Sequence, residues 1–151
     1  MSLTDEILEL TREYKSMKDM IDLRGPESQE IEFKPLYYPD LLKIRKDLSC
    51  LSIELAVETS KYMRMFKNLE STRKVQFFIK KRQNIEAGMK IGSAEAQAEV
   101  DVGDLRESES MNEGFYMTGR LILNQTNEIL KSLGQDISII KKEYESINNL
   151  T

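Results

Sequence analysis

The sequence predicts an all-α fold: a long antiparallel helical hairpin with coiled-coil seams, an N-terminal helix joined to it by a proline-containing linker, and an oligomeric state. Three observations predict it. Apolar residues recur at spacings of three and four along most of the 151 residues, the period of a helix and not the alternation of a strand. Charged residues make up 32% of the chain and aromatics 7%, with no Trp, which suits long solvated helices better than a thick sandwich or barrel core. All three prolines, Pro26, Pro35 and Pro39, fall in one stretch, so the remainder carries no strong helix breaker.

Residues 1–24 form the first predicted element, because Ile7, Leu10, Tyr14, Met17 and Ile21 mark one face of a helix that begins near Thr4. Arg24-Gly25-Pro26 ends it. Residues 25–40 read as an extended linker that packs on something, since Ile31, Phe33, Leu36, Tyr37 and Tyr38 show no helical period among the prolines. Residues 41–151 form the hairpin and oligomerisation domain. Its first helix starts at Pro39-Asp40, a residue pair suited to a first turn. Leu41, Ile44, Leu48, Leu51, Leu55, Tyr62, Phe66 and Leu69 then step three and four with one gap at Glu58-Thr59, a heptad seam. Helical propensity runs to Ala87, and Gly88 and Gly92 bracket a turn.

Ser93 is the expected N-cap of the third helix, with Glu95 in its first turn. That helix opens on small residues and strengthens from Phe115 into Gly119, Ile122, Thr126, Ile129, Leu133, Ile137, Ile140, Tyr144 and Ile147. Glycine costs about 1 kcal/mol in a helix interior, which makes Gly103 and Gly114 the places to expect a break. Two arms of similar length joined by a short turn lie antiparallel. The isoleucine-rich end and the spare Leu42, Met63, Met65, Leu121, Leu123 and Leu130 exceed what two helices cover. Subunit contacts in a homo-oligomer are therefore expected, centred on Ile122, Ile129, Leu133, Ile137 and Ile140.

Composition narrows the chemistry. With no His in the chain, the commonest general base and the commonest nitrogen metal ligand are missing. Glu95 and Glu99 stand one turn apart but have no matching carboxylate pair on the preceding helix, so a two-metal bundle site is poorly supported. The expectation is a non-enzymatic protein with no catalytic residue, no metal and no cofactor. The lone Cys50 between Leu48 and Leu51 reads as a small buried thiol. No apolar run approaches a membrane span and no export signal is seen, so a cytoplasmic protein without a membrane partner is expected.

The net charge of −4 hides a segregation. Residues 61–90 hold nine bases, Lys61, Arg64, Lys67, Arg73, Lys74, Lys80, Lys81, Arg82 and Lys90, against Glu70 and Glu86, a surplus of seven positive charges. Residues 91–115 hold seven acids, Glu95, Glu99, Asp101, Asp104, Glu107, Glu109 and Glu113, against Arg106, a surplus of six negative charges. One reading is a charge zipper in which the arms neutralise each other. The other rests on Arg73-Lys74-Val75-Gln76-Phe77-Phe78-Ile79-Lys80-Lys81-Arg82, where basic clusters flank adjacent aromatics. Cations for phosphates and flat rings for bases are what a single nucleic-acid strand needs. Phe77 and Phe78 also have a simpler use, since at least one is expected to face the core.

These residues resemble the UvsY family of phage recombination mediators over roughly residues 50–145. In that family a helix carries a basic Lys-Lys-Val element and then a Leu-Lys-Ala-Arg-Leu motif, ahead of a glycine-containing turn. Arg73-Lys74-Val75 resembles the first element and Ile79-Lys80-Lys81-Arg82-Gln83 the second. Lys81 and Gln83 replace apolar residues of the motif, two residues are inserted between the elements, and residues 1–40 have no counterpart. The resemblance implies that Lys80 and Arg82 contact DNA, with Arg73, Lys74 and Lys81 alongside them. It also implies a ring-like oligomer in a phage-infected host cell that binds single-stranded DNA, helps displace single-strand-binding protein and loads a RecA-like recombinase. The competing expectation is a coiled-coil structural, adaptor or chaperone-like protein, such as a phage scaffold or a prefoldin-like hairpin, that binds only protein.

Overall fold

The computed structural model describes residues 2–22 and 34–149. Four helices account for nearly all of them: α1 (Leu3–Asp22), α2 (Lys34–Glu86), α3 (Ile91–Asp101) and α4 (Gly103–Asn148). No strand occurs among the described residues, as the helical spacing of the apolar residues requires. No helix among them is long and apolar enough to cross a membrane. The chain divides into two compact units, one from Met1–Ala56 with Leu121–Thr151 and one from Val57–Arg120.

In the first unit, α1 is started by a reciprocal cap. The Ser2 hydroxyl accepts the Asp5 N–H at 3.2 Å, and the Asp5 carboxylate accepts the Ser2 N–H at 3.1 Å. The Ser2 side-chain hydrogen bond, then the backbone one, hold the Asp5 carboxyl below the usual carboxylate range. The apolar face of α1 packs on α2 and α4 in two clusters. Tyr14, Leu41, Ile44, Leu133, Ile137 and Ile140 form one, with Met17, Tyr38 and Ile129 against it. Ile7, Leu48 and Leu55 form the other, with Leu10, Leu51 and Ile122 among their neighbours.

Several expectations are corrected here. The predicted linker over residues 25–40 is shorter than expected, because residues 34–40 are already helical and Pro39 lies inside α2. Pro35 falls in the first turn, where its missing N–H has no intrahelical partner to lose. Pro39 removes one donor from the ladder, and Tyr38 beside it packs on the core and favours the earlier start. Residues 23–33, with Ile31 and Phe33, lie outside the described residues, as do the side chains of Ile21, Leu36, Tyr37, Tyr144 and Ile147.

The second correction concerns the predicted subunit seam. Leu133, Ile137 and Ile140 are buried within the chain itself at 0%, 5% and 3% exposure. Ile122 and Ile129 are half-buried on the same clusters. The cause is α1, which supplies Ile7, Tyr14 and Met17 as the third layer that a two-helix count omits. Cys50, expected to be buried, is exposed.

In the second unit α2 and α4 run in opposite directions, as the contacts Tyr62–Phe115 and Arg73–Glu109 show with Lys81–Glu95 of α3. The α2 terminus is a Schellman turn. Gly88, at φ +93°, sends its N–H to the Ile85 carbonyl at 3.0 Å, and Met89 sends its N–H to the Asn84 carbonyl at 3.1 Å. Here α3 begins at Ile91 with Lys90 as its N-cap, so Gly92 and Ser93 are helical and Ser93 is not the cap. Ala94 and Ala98, both 0% exposed, let α3 lie close against its neighbours. The expected break falls at Val102, just before Gly103, while α4 continues unbroken through Gly114.

Candidate nucleic-acid interface

The inner face of α2 in the second unit is apolar at first and then polar. Tyr62 packs on Phe115 with ring centroids 5.0 Å apart, and Phe66 on Tyr116 at 5.9 Å. One heptad further on, the same side of the helix presents Arg73, Lys80 and Asn84. The Arg73 guanidinium holds Glu109 through Nε at 2.5 Å and through a terminal nitrogen at 3.4 Å. Side-chain exposures of 19% and 14% make this the best-shielded ion pair of the unit. The Glu109 hydrogen bond raises the Arg73 pKa above its ordinary value, and the two contacts tie this cation to α4. Asn84 reaches the Ala94 carbonyl at 3.2 Å and ties α3 to the end of α2.

On the outer face the spacing repeats without a cover. Arg64, Asn68, Ser71, Val75, Phe78, Arg82 and Ile85 alternate steps of four and three, all on the side turned away from α4. Phe78 is 66% exposed and Val75 57%. Lys74 precedes Phe78 by one helical turn and Arg82 follows it by one. Each holds a carboxylate of its own helix, Lys74 to Glu70 at 2.6 Å and Arg82 to Glu86 at 2.8 Å. The hydrogen bond from Lys74, then the charges of Lys74 and Lys67, keep the Glu70 carboxyl below its usual range. Exposed pairs of this kind exchange readily for another anion, being worth at most about 1 kcal/mol.

The five predicted contact residues are therefore divided. Lys74 and Arg82 stand on the outer face beside Phe78, whereas Arg73 is turned inward onto Glu109. Lys81 lies on the flank, 3.5 Å from Glu95 of α3, and Lys80 is half-buried on the inner side. The pair implied by the resemblance, Lys80 and Arg82, is not brought together, because residues two positions apart on a helix face nearly opposite ways. Phe77 is half-buried and meets Phe78 edge to face at 5.5 Å, so one ring faces inward and one outward. The outer seam of Val75, Phe78 and Ile85 was missed in the sequence, although its heptad spacing is visible there once the inner seam is assigned.

Among the described residues, no group of three or more His, Cys, Asp or Glu side chains is placed to hold a metal ion. Compared with family models, curated proteins and solved structures, the chain matches none.

Proposed function

We propose that this chain is a non-enzymatic single-stranded DNA-binding protein that acts as a recombination mediator. The observation that carries the reading is the exposed Phe78 ring with Lys74 and Arg82 one turn to either side. A base stacks on a free ring for roughly 1–3 kcal/mol, whatever its identity, while the flanking cations take the neighbouring phosphates. The Schellman turn at Gly88 and the Arg73–Glu109 pair hold this stretch of α2 rigid beneath the strand. On this reading the second unit is an antiparallel coiled-coil hairpin whose outer side is the working surface. Displacement of single-strand-binding protein and loading of a RecA-like recombinase follow from the resemblance to the mediator family.

A second reading has its own observation. Arg73–Glu109 and Lys81–Glu95 neutralise charge between the arms, as a protein-binding coiled coil with a charge zipper would. Titration of a fluorescent oligothymidine at several salt concentrations separates the two. The mediator binds, weakens steeply as salt rises, and loses roughly tenfold in affinity on Phe78→Ala with an unchanged melting curve. Absence of binding at low salt, or binding indifferent to Phe78→Ala and to Lys74→Ala with Arg82→Ala, refutes it.

A further inference from the structure

The charge segregation is only partly consumed inside the chain. Across the arms of the second unit, Arg73 and Lys81 reach Glu109 and Glu95. Arg64, Lys67, Lys74 and Arg82 stay exposed on α2, the last three paired only with Glu70 and Glu86 of their own helix, and Asp101, Asp104, Glu107 and Glu113 stay exposed on α3 and α4. Each surface also carries apolar side chains in the open, Val75, Phe78 and Ile85 on the basic side, Val100 and Met117 on the acidic side. On α4 the residues Gly103, Glu107, Ser110, Gly114 and Met117 alternate steps of four and three, so they too form a heptad stripe. A side chain added at Gly103 or Gly114 would meet nothing within 4 Å, leaving room for a foreign helix to approach closely.

Two like faces cannot pair. Outer face of α2 against outer face of α2 sets base against base, and α4 against α4 sets acid against acid, which costs several kcal/mol at an interface. The opposite faces are complementary in charge, and both present heptad stripes of exposed apolar or small residues. A flexible Met117 thioether is also a suitable neighbour for the Phe78 ring.

We infer that the acidic outer face of α3–α4 in one copy docks on the basic, apolar outer face of α2 in a second copy. The contact is head to tail and can propagate. Where the proposed DNA surface is correct, the docked acidic face occupies it as a stand-in for the strand. Free protein is then capped by its own kind, and single-stranded DNA uncaps it. The competition rests on the proposed function; the contact between copies does not.

Sedimentation of the full chain tests the contact with two charge-reversed variants, Glu107→Lys with Glu113→Lys, and Lys74→Glu with Arg82→Glu. These are exposed positions, and circular dichroism verifies that both variants remain helical. The wild-type chain is expected to associate at low salt and to dissociate as salt screens the faces. Each variant alone should lose association by roughly tenfold or more. An equimolar mixture of the two should regain it, because each then offers the face that the other lost. Variants that associate like wild type, or a mixture that stays dissociated, overturn the contact. Oligothymidine added in the same experiment reads the function separately. It should disperse the wild-type assembly and bind the Glu107→Lys, Glu113→Lys variant more tightly. Failure of any chain to bind oligothymidine, with association restored in the mixture, sinks the DNA reading and leaves the contact between copies standing.

Discussion

Gly119 of α4 faces Thr59 of α2 in the second unit so closely that a Cβ built on the glycine would overlap the threonine hydroxyl. Thr59 is buried at 4% exposure, and its oxygen has no hydrogen-bond partner. In the sequence Gly119 is merely a weak point in a helix; the approach of the second helix explains why a larger residue does not fit. Gly119→Ala should therefore cost about 1–3 kcal/mol by overpacking, despite alanine's better helix propensity. Thr59→Ala alone removes an unsatisfied polar group and should be nearly neutral. The double variant should recover at least about 1 kcal/mol relative to Gly119→Ala in urea unfolding, since the two residues share one contact. Additive effects would show that the clash is relieved elsewhere. The residue scale is also where composition misleads about function. Five bases in a row of ten residues look equivalent on paper, yet Arg73 is an internal strut on α4 and Arg82 is exposed and holds only Glu86 of its own helix. Periodicity separates them only when the direction of the inner face is known.

At the scale of elements, the helices were legible because heptad spacing is a property of the sequence alone, while their boundaries depended on tertiary contacts. The first turns of α2 form despite Pro39 because Tyr38 packs on the Tyr14 cluster. Ser93 is a good cap that goes unused because helix formation starts earlier, at Ile91. The break before Gly103 was visible as a choice between two glycines, and Val102 decides it by burying its side chain at 1% exposure. The docking of α1 was not legible, since nothing in its own pattern says which seam it covers. That docking has a polar latch. The Tyr14 hydroxyl donates to the Asp136 carboxylate and lies 3.0 Å from the Ser132 hydroxyl. Lys18 reaches Ser132 at 3.2 Å and Asp136 at 3.8 Å. Tyr14→Phe keeps the ring in the core but leaves the half-buried Asp136 short of its donor, at a cost of about 1–2 kcal/mol. Hydrogen exchange should rise in α1 before it rises elsewhere. Equal acceleration across the first unit would mean that the latch contributes to global stability and not to docking.

For the molecule as a whole, Ile122, Ile129, Leu133, Ile137 and Ile140, read from the sequence as apolar surplus, are used within the chain, while Leu42, Met63, Met65 and Leu121 stay exposed. Two helices cannot cover Leu41, Ile44, Leu133, Ile137 and Ile140; three can, and α1 is the third. The proposed contact between copies and an uncovered seam would drive association by different physics. The outer faces of the second unit attract by charge, which salt screens over about 10 Å at 0.1 M. The Leu133–Ile140 seam, if uncovered, attracts by apolar burial, which salt does not weaken and structure-making salts strengthen. Removing residues 1–22 uncovers that seam in an otherwise helical chain. The truncated chain should therefore associate through Ile137 and Ile140 even at high salt, where the 151-residue chain should be dissociated. Replacing both isoleucines by Lys in the truncated chain should abolish this component and leave the low-salt component intact. Light scattering across a salt series, with circular dichroism to establish that the helices persist, reads both components in one experiment. A truncated chain that stays helical and monomeric at high salt would show that α2 and α4 close over the seam without α1, and that the third layer is dispensable.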